Sequence, residues 1–254
     1  MVGTDPGVLH FGIAPAKGRY LAWQVEQEVE AVRLDLGVGQ PVTLELARSA
    51  TALRRYSLDG MPVDVSRLAL DSAFDGRRVQ VAGDGGALQV RLWRPAPGVY
   101  ARATVRASDD AGLRAVAGAL RLTEARRCGG PLRLSSLPAG AHVTACAVDA
   151  STFPNLLTAR FTITGPAEER MGVTYRYAVG LADSPRKGDT AINGRPAVRY
   201  ALGDLKRLEL LGFPKARLTA EYGWPTPGFT ELDAAAVLAG AQVAGDPTRP
   251  ETWG

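Results

Sequence analysis

The chain has 254 residues, enough for one large domain or two small ones with a sizeable core. Its 46% hydrophobic and 22% charged residues exclude a disordered chain away from the ends, and no apolar run approaches the roughly 18 residues of a membrane-spanning helix. The net charge is +4, and all but four of the 30 basic residues are arginine, dispersed with no block of five, which argues against the concentrated patch of a nucleic-acid binder.

The first seven residues have neither a basic region nor an apolar stretch, so they do not read as a signal peptide. The chain is then expected to be either cytoplasmic or an ectodomain whose leader or anchor has been removed.

In chain order, residues 8–13 and 20–25 read as strands, the second carrying Trp23. Residues 28–36 alternate, with Val29, Ala31, Val32 and Leu34 apolar among charges. Period-two alternation means one wet face and one dry, which favours antiparallel sheet. Glu26, Glu28 and Glu30 are expected on the wet face. Residues 42–46 form a further strand, and residues 49–56 a short helix or a connection.

A first module opens at Asp59-Gly60-Met61-Pro62-Val63. Strands over 79–82 and 87–93 flank Gly83-Asp84-Gly85-Gly86, a strong hairpin signal. A strand over 99–106 follows. Ser108 is the expected N-cap of a helix, with Asp109 and Asp110 in its first turn, where the helix dipole favours negative charge. Leu113, Val116, Ala117, Leu120 and Leu122 have helical spacing. Two strands joined by Leu137-Pro138-Ala139-Gly140 come next, read as a type I turn. A hairpin over 158–164 and 173–179 follows.

A second module opens at Asn193-Gly194-Arg195-Pro196-Ala197, with strands over 205–211 and 216–222. Thr230-Glu231-Leu232-Asp233 is a capping-box-like helix start, with Asp in place of the usual Glu. Leu232, Ala235, Ala236, Leu238 and Ala239 make the expected apolar stripe. The two modules share an order of elements, which reads as a duplication. The expected organisation is N-terminal strands over 1–56, a first sheet-plus-helix lobe over 57–150, a second over 151–246 and a tail over 247–254. The expected fold class is α+β, mainly antiparallel curved sheets in two related lobes, each covered by an α-helix.

Few residues point to chemistry. Cys128 and Cys146 are the only cysteines, outside any C-x-x-C motif. They are either a structural disulfide or two separate buried thiols in a reducing cell. The disulfide is expected. It would close a loop that stabilises the fold by roughly 3 kcal/mol and would place the chain outside the cytoplasm. His10 and His142 lie at strand positions with apolar neighbours and read as structural. The acidic clusters at Glu26-Gln27-Glu28, Asp109-Asp110 and Glu168-Glu169 are explained by a wet face, a helix start and a turn. Nothing selects a catalytic pair, and no spacing indicates a metal site or a cofactor. Trp93 and Phe213 each sit beside a turn proline. Trp93, Tyr100, Phe213 and Trp224 are candidates for either core anchors or a binding surface.

Three stretches carry a resemblance. They are Gly7-Val8-Leu9-His10-Phe11, then Cys128 through Pro131-Leu132-Arg133-Leu134 and Leu137-Pro138-Ala139-Gly140 to Cys146, and Ile192-Asn193-Gly194-Arg195-Pro196-Ala197. Together the chain resembles extracytoplasmic domains of actinobacterial membrane-anchored proteins, loosely over most of its length. Its lobes are distantly similar in fold to envelope lipoprotein carriers and periplasmic stress sensors. The resemblance implies a membrane helix outside this sequence and supplies no catalytic residue. The function expected is a non-enzymatic extracytoplasmic binding or sensory ectodomain, with an unknown protein or apolar ligand as partner and no nucleic acid. The alternatives are a carrier of an apolar ligand, such as a lipid or lipoprotein, held between sheet and helix, and an enzyme of the cell envelope.

Overall fold

Alternating sequence turns into alternating burial through most of the chain. The computed structural model describes residues 1–37, 39–54, 57–58, 61–62, 77–80, 87–183 and 187–253. These residues are mostly antiparallel β-structure with few helices, in two compact units, Met1–Arg126 and Arg127–Gly254.

In the first unit the strands are β1 (Arg19–Glu26), β2 (Val29–Asp35), β3 (Val42–Ala47), β4 (Arg77–Gln80), β5 (Ala87–Ala96) and β6 (Val99–Arg106). They lie in the order β4-β5-β6-β3-β2-β1. Val42, Leu44 and Leu46 of β3 face Ala101, Ala103 and Val105 of β6 across the ladder, and all are buried. Helix α1 (Ala111–Ala119) packs on β3 and β6 through Leu113 and Val116. Its start differs from the expectation. Asp110 occupies the N-cap position without a capping side-chain bond, and its carboxylate pairs with Arg114 instead. The helix also ends sooner than its apolar spacing suggests. Leu120–Arg121 leaves it to pair with Gly12–Ile13.

The N-terminal segment overturns the expected wet face of β2. Glu30 is 0% exposed. Its carboxylate accepts from the backbone N–H of Gly3 at 2.7 Å and of His10 at 2.6 Å, and it bonds the His10 ring at 2.7 Å. Gly3 has φ +70°, and any Cβ there would collide with the Glu28 carbonyl. Only glycine suits both the left-handed backbone and the contact. The segment thus lies on the face that alternation alone assigns to water. On the same sheet Arg102, directly opposite Glu45, is buried and pairs with it at 2.5 Å, and it also donates to the Leu53 carbonyl.

In the second unit the main strands are β8 (His142–Asp149), β9 (Leu156–Thr164), β10 (Arg170–Ala178), β11 (Thr190–Ile192), β12 (Arg195–Leu202), β13 (Leu205–Leu210) and β14 (Ala216–Tyr222), after the short β7 (Leu132–Leu134). Their order is β8-β9-β10-β14-β13-β12-β11. β7 pairs instead with β15 (Ala241–Val243). Asn193 and Gly194, with φ 48° and 77°, make the two-residue turn between β11 and β12, as an Asn-Gly pair should. The turn after β7 sits one residue later than expected. The Ala141 N–H bonds the Pro138 carbonyl, and Gly140 has φ +73°.

The first compact unit ends at Arg126. In the second, β8 pairs with β9, and β7 with the strand near the chain end, and the Cys128 to Cys146 region belongs to this unit. Of the first module's opening, Met61–Pro62 pairs with Ser57–Leu58. The rest of that opening and the Gly83-Asp84-Gly85-Gly86 turn lie outside the described residues.

Helix α2 (Glu231–Ala239) begins as expected. The Thr230 hydroxyl accepts from the Asp233 N–H, and the Asp233 carboxylate accepts from the Thr230 N–H. Its stripe is rotated. Ala234, Val237 and Leu238 are buried against β13 and β14, while Leu232 is 82% exposed.

Candidate functional site

Cys128 and Cys146 form a disulfide with a Cα–Cα distance of 5.9 Å, and both are buried. It ties the turn before β7 to the middle of β8. Phe161 on β9 sits opposite Cys146 in register and packs against Gly129, next to Cys128.

Of the four candidate aromatics, Trp93 and Tyr100 belong to the first unit and Phe213 and Trp224 to the second. Trp93 is 8% exposed, with the Arg91 guanidinium 5.2 Å from its ring. Tyr100 packs on the buried cluster of Ala47, Leu53 and Leu92, and Arg94 stacks over it at 5.8 Å. Phe213 stacks edge-on against Tyr175 at 6.4 Å and carries Arg195 on its ring at 4.7 Å. Trp224 is 63% exposed. Phe213 precedes β14 and Trp224 follows it, so the strand's length separates them.

The buried carboxylates are committed to structure. Glu30 holds the N-terminal segment, Glu45 holds Arg102, Glu169 accepts from the Ala167 N–H at 2.8 Å, and Glu209 pairs with Arg217 at 3.2 Å. Burial pushes the Glu45 carboxyl above its usual range, and the Arg102 charge opposes that shift. Among the described residues no group of three or more His, Cys, Asp or Glu is placed to hold a metal ion, and no helix is long and apolar enough to cross a membrane.

A carrier would need space between sheet and helix. In the second unit Ala234, Val237 and Leu238 fill that interface. A hollow of about 240 Å³ lies elsewhere, beside β7 and β15. It is lined by Pro131, Arg133, Gln242, Val243, Thr252 and Trp253.

The face of the second sheet opposite α2 is polar. Strand alternation brings Thr158, Arg160 and Thr162 of β9 beside Arg176, Thr174 and Gly172 of β10. Arg217, Thr219 and Glu221 of β14 come next, then Glu209 and Arg207 of β13. Tyr200 and Leu202 of β12 end the face, both exposed. The β13–β14 half is internally neutralised. Arg207 bonds Glu221 at 2.6 Å, and Arg217 pairs with Glu209. On the β9–β10 half, Arg160 and Arg176 are exposed and have no hydrogen bond or ion pair among the described residues. Arg160 lies over Gly172. A Cβ on that glycine would sit 3.2 Å from the Arg160 guanidinium. Arg176 stands directly opposite Arg217. Neither arginine stands out in the sequence. Only the register makes them neighbours.

No protein-family model and no curated protein matches the chain. Among solved structures it is similar to MucB in complex with MucA(peri), at 14% identity and a TM-score of 0.32, covering 85% of this chain and 62% of that one. It is also similar to the Pseudomonas aeruginosa MucA/MucB complex structure, at 16% identity and a TM-score of 0.30, covering 93% and 92%. The similarity is weak in both cases and transfers neither partner nor mechanism to this chain.

Proposed function

We propose that this chain is a non-enzymatic, extracytoplasmic binding and sensory domain of a membrane-tethered protein, with two related lobes and a protein partner. The observation that carries the reading is the buried Cys128–Cys146 bond. Such bonds persist in oxidising compartments and are rare where thioredoxin and glutathione keep thiols reduced. The binding role draws support from how polar groups are used. The buried carboxylates each brace a backbone segment or an arginine, as structural groups do, while an exposed arginine pair, Tyr200, Leu202 and Trp224 remain at the surface of the second unit.

The test is made in the organism that expresses the protein. Thiols are blocked with an alkylating reagent at lysis, without reductant, and the protein's mass is measured. The reading expects no label until reductant is added, then two. Two labels without reductant would place the chain in a reducing compartment and end the proposal.

A further inference from the structure

We infer that the β9–β10 half of the open sheet face in the second unit docks an acidic, extended polypeptide segment, with Arg160 and Arg176 receiving its carboxylates. The inference rests on the binding-domain reading above and adds a site and a partner chemistry to it. Three observations point to it. First, the face carries Arg160, Arg170, Arg176, Arg207 and Arg217 against Asp149, Glu209 and Glu221, and the carboxylates that engage arginines do so on the far half, with Arg207 and Arg217. Asp149, opposite Thr158, accepts instead from the Ser151 N–H at 2.9 Å. Second, Arg176 is opposite Arg217 on the next strand, and Glu209 meets the charge of Arg217 alone, so Arg176 is the member of that pair without a carboxylate among the described residues. Third, the Arg160 guanidinium lies over Gly172 on the neighbouring strand and is exposed, so it is open to a carboxylate from solvent.

Spacing selects an extended chain. Arg160 pairs with Thr174, and Arg176 with Thr158, so the two arginines are diagonal neighbours roughly 7–8 Å apart at Cα. Alternate residues of an extended segment repeat at about 6.6 Å. Carboxylates at i and i+2 therefore match the arginine pair, and the hydroxyls of Thr158 and Thr174 complete a checkerboard that can donate to them. A guanidinium offers a planar fork to a carboxylate, which explains arginine in preference to lysine at both corners.

The test uses the whole oxidised chain and a short labelled peptide alternating glutamate and threonine, with a glutamine-for-glutamate peptide as control. Binding is read by fluorescence anisotropy. The expected result is binding of the glutamate peptide alone, weakened as salt rises from about 50 to about 500 mM. Arg160→Gln with Arg176→Gln should lower affinity about tenfold or more, while Arg249→Gln, which breaks an exposed pair near the chain end, should leave it unchanged. Circular dichroism confirms that each variant is folded. Equal binding of the two peptides, or full binding by the double variant, overturns the inference. So does retention on anionic phospholipid vesicles that depends on both arginines without any peptide binding. If the peptide fails while thiol blocking in cells still shows the bridge, the docking inference alone has fallen and the extracytoplasmic reading stands.

Discussion

At Glu30 a carboxylate that strand alternation assigns to water instead anchors a strap of backbone. With its side chain fully buried, it depends on the N–H groups of Gly3 and His10 and on the His10 ring. Truncation leaves those donors without an acceptor, and each unsatisfied buried group costs about 1–3 kcal/mol. Glu30→Ala is therefore expected to destabilise the first unit by about 3 kcal/mol in urea titration, and Glu30→Gln by less, because its carbonyl oxygen still accepts. A cost below about 0.5 kcal/mol would show that the strap contributes little. Tyr175 supplies a second prediction at this scale. Burial, helped by Tyr177, pushes its phenol from 10.0 up to about 12. The unfolded chain gives up this proton near the ordinary value and the folded chain only near 12. The contribution to stability is therefore intact below pH 10 and is lost between 10 and 12. Ultraviolet difference titration should show a late-ionising tyrosine that Tyr175→Phe removes. Ionisation of every tyrosine near pH 10 would contradict the packing with Phe213.

Among elements, α2 shows what a sequence can and cannot specify. Its start was legible because a capping box is local chemistry: Thr230 and Asp233 satisfy each other's N–H groups without help from the rest of the fold. Its buried face was not, since the segment is alanine and leucine on nearly every side and several stripes fit equally well. Strands β9, β10, β13 and β14 are readable for the same local reason. Alternation misplaces Glu30 because its partners come from residues far away in the chain, and spacing does not reveal Arg160 and Arg176 because adjacency across a ladder is a matter of register. Helical spacing runs past the end of α1 because Leu120 and Leu122 continue the period while the backbone turns to pair with Gly12–Ile13. The capping box gives the test at this scale. Thr230→Ala should cost about 1 kcal/mol, and Thr230→Ser, which keeps the hydroxyl, should cost much less. If alanine and serine are indistinguishable in thermal unfolding, the cap does not set the helix start.

For the whole molecule the disulfide bears on stability and, under the proposed function, on compartment. Each unit has its own ladders and its own buried apolar residues. The Cys128–Cys146 link closes its 18-residue separation entirely inside the second. In the chain-entropy model such a loop is worth roughly 3 kcal/mol, all of it through the unfolded state of that unit. For a unit of this size each kcal/mol moves the midpoint by about 3–5 °C, so reduction should lower the second unit's midpoint by about 9–15 °C. Hydrogen exchange followed by mass spectrometry locates the effect. Amides of β8, β9 and β7 should lose protection on reduction, while those of β2, β3 and β6 keep it. A uniform loss across both units would mean that the bridge stabilises the chain as one cooperative body, and no loss at all would mean that the sulfur bond is dispensable to the fold. The second result would also remove the main physical reason for the protein to reside where thiols oxidise.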